Sequence, residues 1–211
     1  MGAHAQLGAS VAADSDYRFR GVSLSDSGPT LRFTLNYDAP AGWYAGASTL
    51  RVELAHGERY AQLLPYAGYV VPFDEGRRLE FGASFSHFTG DSTYDYGEAY
   101  VGLLADRWSA RMYYAPNYFG QQARTVYAEL NAHTPLNEYA RLFGHIGALS
   151  PWGRAGADSN QARIDVRIGA GLSVRDLDLQ LARVAASRGG PYPAVDGRRG
   201  AALVASASFS F

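Results

Sequence analysis

Hydrophobic and polar residues alternate singly along most of this chain, in segments of about nine to sixteen residues separated by turn-forming residues. At a period of two, successive side chains point to opposite faces of a strand, so each segment has one apolar and one polar face. The run Asp14-Ser15-Asp16-Tyr17-Arg18-Phe19-Arg20-Gly21 shows the pattern most sharply. Asp14, Asp16, Arg18 and Arg20 share one face, and Ser15, Tyr17 and Phe19 share the other. A soluble sheet buries its apolar face and wets its polar one. Four charges in a row, with similar alternation on strand after strand, predict the inverse: a polar interior and an apolar exterior. That is the signature of a transmembrane β-barrel.

The pattern predicts an all-β, up-and-down antiparallel barrel of twelve strands filling the whole chain, with ten strands as the alternative. The strands fall at roughly 6–21, 30–38, 43–54, 59–71, 77–88, 94–104, 107–116, 122–133, 138–149, 161–173, 176–187 and 199–211. Their connections alternate. Ala39–Gly42, Asp74–Gly76, Ala105-Asp106, Thr134–Asn137 and Val174-Arg175 are tight, whereas Ser23–Pro29, Asn117–Gln121, Ser150–Asn160 and Arg188–Arg198 are longer. Short turns on one side and long loops on the other match periplasmic and extracellular rims. Leu31, Phe33, Leu35 and Tyr37 are expected to face lipid, as are Ile164, Val166 and Ile168. Arg124 and Arg183 break the alternation and are expected near the outer rim. Trp43, Tyr44, Tyr69, Trp108 and Phe211 form one predicted aromatic girdle, and Tyr17, Phe19, Phe85, Tyr94 and Tyr114 the other. A soluble lipocalin-like barrel is disfavoured, because its charges would sit in a dry core.

Composition narrows the function classes. The 211 residues include no uninterrupted apolar run of about 18, so no membrane helix is expected. Cysteine is absent, which removes disulfides, thiol catalysis and cysteine-ligated metals. All 19 basic residues are arginine, a bias that a GC-rich genome explains, and a net charge of −1 gives no support for nucleic-acid binding. Met1-Gly2-Ala3 leads straight into a strand without a signal peptide, so a mature form with a replaced start is expected.

Several patches carry a family resemblance: Ser15-Asp16-Tyr17-Arg18-Phe19-Arg20-Gly21, then Pro29, then Gly42-Trp43-Tyr44-Ala45-Gly46. Tyr66-Ala67-Gly68-Tyr69 and Tyr113-Tyr114-Ala115-Pro116-Asn117-Tyr118-Phe119-Gly120 continue it. In these the chain resembles the TorF-like family of porins, proteobacterial outer-membrane proteins of poorly defined function. The resemblance implies a Gram-negative outer-membrane barrel with a channel role and supplies no catalytic residues. Phe211 resembles the closing aromatic by which the barrel-insertion machinery recognises such proteins.

The inward face collects Arg18, Arg20, Arg32, Arg51, Arg78, Arg111, Arg141, Arg163 and Arg167 against Asp14, Asp16, Glu53, Glu80, Glu98, Glu129, Asp165 and Asp178. Buried charges must be paired or hydrated. These could plug the bore with ion pairs or line a narrow wet path. The favoured expectation is a channel for small polar or anionic solutes. Its solute-contacting residues are Arg18, Arg20, Arg32, Arg51, Arg111, Arg163, Arg167, Asp14, Asp16, Glu53, Glu98 and Asp165, with Arg18, Arg20, Arg32, Arg51 and Arg163 forming a positive constriction.

Two other classes compete. An outer-leaflet lipid hydrolase would use His87 with Ser86, Thr89 or Ser92, and Glu98 follows, yet spacing fixes no acidic partner. A closed structural barrel would bind partners through loops such as Gly189-Gly190-Pro191-Tyr192-Pro193. His4, His56, His133 and His145 form no metal constellation, Asp14 and Asp16 are expected to pair with arginine rather than calcium, and no cofactor is expected. Gly169-Ala170-Gly171 is mid-strand with no helix after it, which does not suit phosphate binding.

Overall fold

The alternating segments close on themselves as an antiparallel barrel of twelve strands. The computed structural model describes residues 5–54, 57–152, 161–190 and 200–211. His4, His56, and the loop portions at 153–160 and 191–199, Tyr192 and Pro193 among them, lie outside the described residues. Strand β1 is Gln6–Asp14, followed by a short hairpin of β2 (Arg18–Phe19) and β3 (Val22–Ser23). The wall continues through β4 (Thr30–Asp38), β5 (Trp43–Glu53), β6 (Arg59–Asp74), β7 (Arg77–Phe88), β8 (Tyr96–Ala105) and β9 (Trp108–Ala115). It is completed by β10 (Thr125–Pro135), β11 (Ala140–Pro151), β12 (Arg163–Val174), β13 (Leu177–Ala186) and β14 (Ala202–Ser210).

Wall strands pair with their sequence neighbours, and β1 pairs with β14 to close the cylinder. That seam is short, running from Ser10↔Ser210 to Asp14↔Ser206, whereas β1 pairs with β4 from Gln6↔Asp38 to Asp14↔Thr30. Ser15 lengthens it: its N–H donates to the Ala205 carbonyl and its Oγ accepts from the Ala205 N–H, both at 2.9 Å. The tight turns gather at one end, here the short-turn rim, together with the start of β1 and the end of β14. The longer connections gather at the other, the long-loop rim.

The outer wall is apolar because alternation makes it so. Leu31, Phe33, Leu35 and Tyr37 project outward from β4, and Ile164, Val166, Ile168 and Leu172 from β12. Ile168 is 71% exposed, which no water-facing surface built of such residues would tolerate over a full circumference. Trp43 and Tyr69 stack at 4.5 Å near the short-turn rim, and Tyr114 meets Trp152 at 6.1 Å near the long-loop rim.

Inside, tyrosines lie over cross-strand glycines. Tyr44 sits opposite Gly68, Tyr66 opposite Gly46 and Tyr100 opposite Gly82. A Cβ at any of these three glycines would overlap the facing phenol. The Gly-x-x-x-Gly and Tyr-Ala-Gly-Tyr patches therefore supply both halves of each pair, and Tyr44 points into the lumen instead of joining a girdle.

The strand predicted over 6–21 ends at Asp14, and there the chain leaves the wall. Arg20 (φ +48°) and Gly21 (φ +76°) form the two-residue turn of the hairpin, the paired left-handed conformation of a type I′ turn. A Cβ on Gly21 would lie 2.6 Å from the Ala186 Cβ and 2.8 Å from the Asp165 Cβ, so the hairpin tip abuts the wall at β12 and β13. Its return arm is fastened to β5, where the Glu53 N–H donates to the Leu24 carbonyl at 2.7 Å. The hairpin thus crosses the barrel mouth at the long-loop rim.

This crossing inverts the lumen locally. Val22 and Leu24 are fully buried against Leu50, Val52, Leu54, Phe88, Tyr96 and Leu149. Tyr118 and Phe119 enter the same cluster from the β9–β10 connection, where Phe119 (φ +48°) and Gly120 (φ +66°) turn the chain beneath the Thr93 carbonyl. Tyr17, Phe19 and Tyr94, expected at the lipid interface, pack on this cluster instead. Phe85 and Tyr114 face out as expected.

Gly68→Ala is expected to displace Tyr44 and cost about 1–3 kcal/mol by overpacking. Gly8→Ala, whose Cβ would meet nothing within 4 Å, is expected to leave stability unchanged. Urea unfolding midpoints of the two refolded variants check the contrast.

Candidate functional site

Between the hairpin and the short-turn rim the barrel encloses a cavity of about 930 Å³. Of the predicted solute-contacting residues, Asp14, Asp16, Arg18, Arg20, Arg32, Glu98, Arg111, Asp165 and Arg167 line it. Arg51, Glu53 and Arg163 do not. Trp43 faces outward and sets the parity of β5, so Arg51 is exposed on its outer side, while Leu50 and Val52 point in to meet the hairpin. Glu53 pairs with Arg59 at the rim at 3.3 Å. Arg163 is fully buried at the long-loop end of β12, above the cavity.

The predicted positive constriction is largely neutralised. Arg20 reaches across the lumen to Glu98, with Nη1 to Oε1 at 2.9 Å and Nη2 to Oε2 at 2.8 Å. Its guanidinium lies 4.1 Å from the Tyr127 ring centre and within 5.3 Å of the Phe19, Tyr113 and Tyr118 rings. Such a two-pronged, stacked site is specific to arginine. Arg18 donates from Nε to Asp16 at 2.6 Å and from Nη1 to the Gly200 carbonyl at 2.7 Å, tying the hairpin to the connection before β14. Asp16 also accepts from the Ser23 hydroxyl at 2.6 Å.

Below the hairpin, one side of the lumen is a tyrosine–carboxylate network. Glu80 accepts from Tyr44 at 2.8 Å and from Arg111 Nε at 2.6 Å, while Tyr44 and Tyr100 share a 2.6 Å hydrogen bond. The facing side holds His145 between Asn131 and Asp165, each at 2.8 Å, with Tyr127 donating to Asp165. Toward the short-turn rim, Arg141 pairs with Asp178 at 2.7 Å. Sequence reasoning placed Glu80, Glu129 and Arg141 inside without counting them as solute contacts, yet all three line the cavity. Their inward parity was the available signal.

At the outer edge of β7, His87 does find an acidic partner. Asp95 bonds its Nδ1 at 2.7 Å and also accepts from the Phe88 N–H at 2.8 Å. No serine or threonine hydroxyl is hydrogen-bonded to His87 among the described residues, so the pair lacks a nucleophile. Among them no cluster suited to a metal ion occurs either.

Comparison with known proteins places this geometry. The family model described as "Bacterial protein of unknown function (Gcw_chp)" matches residues 2–206, and the chain belongs to that family. No curated protein matches the sequence. Among solved structures, the KdgM porin superposes with a TM-score of 0.62 at 12% identity, covering 97% of this chain and 99% of that one. An outer membrane channel from Pseudomonas putida F1 gives 0.55 at 12% identity, over 97% and 93% of the two chains. LpxR from Salmonella typhimurium gives 0.55 at 7% identity, over 97% and 99%. At these identities the likeness is one of fold: the chain has the fold of outer-membrane barrels.

Glu98→Ala removes the carboxylate that Arg20 grips, and loss of one partner of a buried pair costs about 3–5 kcal/mol unless the other escapes to water. The expected outcome is a displaced hairpin in an intact barrel. Trypsin should then cut after Arg18 in the variant while the wild type resists, with the β-sheet circular dichroism of both unchanged.

Proposed function

We propose that this protein is a porin-like channel of the bacterial outer membrane for small polar or anionic solutes, with its bore held shut by the β2–β3 hairpin. The observation that carries the reading is a charged cavity of about 930 Å³ inside a cylinder whose outer wall is apolar. A barrel meant only as a structural pin could fill that volume with side chains. The resemblance to the TorF-like porins points the same way. In this reading the short-turn rim and both chain ends are periplasmic, lipid surrounds the wall, and Phe211, 76% exposed, serves the barrel-insertion machinery.

The preference for anions rests on different arginines from those the charge pattern singled out. Arg18 and Arg20 are satisfied by Asp16 and Glu98. Arg78 and Arg167 line the cavity with no carboxylate in ion-pair contact among the described residues. They leave a positive field on the path between the short-turn rim and the hairpin. Catalysis is not part of the reading, because His87 has an orienting carboxylate and, among the described residues, no hydroxyl bonded to it.

Planar-bilayer recording tests both parts. Wild-type protein is expected to show small, infrequent openings. A variant with residues 16–25 replaced by a glycine–serine linker is expected to conduct steadily, with a reversal potential on the anion side. A silent linker variant would overturn the channel reading, and a cation-selective one would overturn the anion preference.

A further inference from the structure

We infer that Arg32, Arg167 and Asp14 form a subsite for a small hydroxycarboxylate, directly beneath the hairpin. This deepens the channel reading by naming a solute class, but occupancy of the subsite does not itself require conduction.

Four of the lumen arginines hold a carboxylate tightly: Arg18, Arg20, Arg111 and Arg141, at 2.6 to 2.8 Å. Arg32 and Arg167 do not. The nearest approach of Arg32 to a carboxylate is 3.6 Å, from Nη2 to Asp14 Oδ2, beyond hydrogen-bond distance. Arg167 donates from Nη2 to the neutral Gln180 Oε1 at 2.8 Å and stacks its guanidinium 4.9 Å from the Phe143 ring centre. Nε of both arginines is buried with no hydrogen-bond partner among the described residues. Gln180 pairs with Ser206, whose hydroxyl bonds Asp14, so Arg167 and Arg32 lie on either side of that one carboxylate. One carboxylate facing two guanidiniums leaves an excess of positive charge, and unfilled N–H donors add the cost of desolvation. Asp14 completes the arrangement. Its Oδ1 accepts from the Ser206 hydroxyl at 2.6 Å, while its Oδ2 is buried with no hydrogen bond.

The unmet groups therefore comprise two guanidinium donors and one carboxylate acceptor, carrying a net charge of about +1 when all three are ionised. A carboxylate matches guanidinium donors in shape and charge. A hydroxyl next to it can donate to Asp14 Oδ2. A phosphate dianion would bring excess negative charge against Asp14, and a plain carboxylate would leave Oδ2 without a donor. All three residues line the cavity, and binding requires the closed-off Nε and Oδ2 atoms to turn toward it.

Ligand-detected NMR on detergent-refolded protein tests the subsite, with lactate as probe and propionate as its hydroxyl-free counterpart. Lactate is expected to bind saturably, and propionate about tenfold more weakly, the equivalent of one lost hydrogen bond to a charged group. Arg167→Gln and Asp14→Asn should each weaken lactate at least about tenfold, whereas Arg59→Gln, at the long-loop rim and outside the cavity, should not. Arg167→Lys keeps the charge and loses the planar fork, so it should also weaken binding; it serves where the glutamine variant fails to give the barrel's circular dichroism. Equal binding of lactate and propionate, equal loss in Arg59→Gln, or no saturable binding would each overturn the proposal. Silent bilayers alongside saturable lactate binding would reject the channel and keep the subsite; the reverse result would reject the subsite alone.

Discussion

The grip of Arg20 on Glu98 is the interaction on which the interior depends. It spans the lumen from the hairpin turn to β8, it is shielded by four aromatic rings, and it holds a non-glycine residue in a left-handed backbone conformation. A buried ion pair of this kind adds little net stability against an apolar substitute of similar shape. Its effect is on position. With the guanidinium anchored, Gly21 is pressed on the β12–β13 wall, Val22 and Leu24 are delivered to the apolar cluster, and the mouth is crossed.

The barrel consequently has three chemical zones along its axis. At the long-loop rim the interior is an ordinary hydrophobic core, built from Leu50, Val52, Phe88, Leu149 and the hairpin. Beneath it lies a belt of charges and phenols, most of them matched to partners. Nearer the short-turn rim the bore is lined by residues such as Arg78, Ser109 and His133. Between its rims the outer wall is predominantly apolar.

How much of this was legible in the sequence follows from how local each determinant is. Strand number, the alternation of short and long connections, and the outward faces of β4 and β12 rest on a period of two within one segment, and each was readable. The fate of 14–21 was not, because alternation persists through Gly21 although the backbone has left the wall. Two signals were present: Arg20-Gly21 is acceptable as a type I′ turn, and Val22 and Leu24 put two apolar residues on the parity of the charges. The inward Leu50 and Val52 make sense only once the hairpin is known to need a surface, which is why Arg51 and Glu53 were assigned to the lumen. Partner choice was the least legible feature. Arg20 finds Glu98 across 78 positions, and Asp95 reaches His87 through the geometry of a connection rather than a fixed spacing.

The short seam has a temporal consequence. Ser15 and Arg18 bond to Ala205 and Gly200, on the last strand and the segment before it, so this part of the hairpin's footing does not exist until β1 and β14 have met. Contacts of such sequence separation form late. The hairpin is therefore fully seated only once the cylinder has closed, and water inside can drain before then.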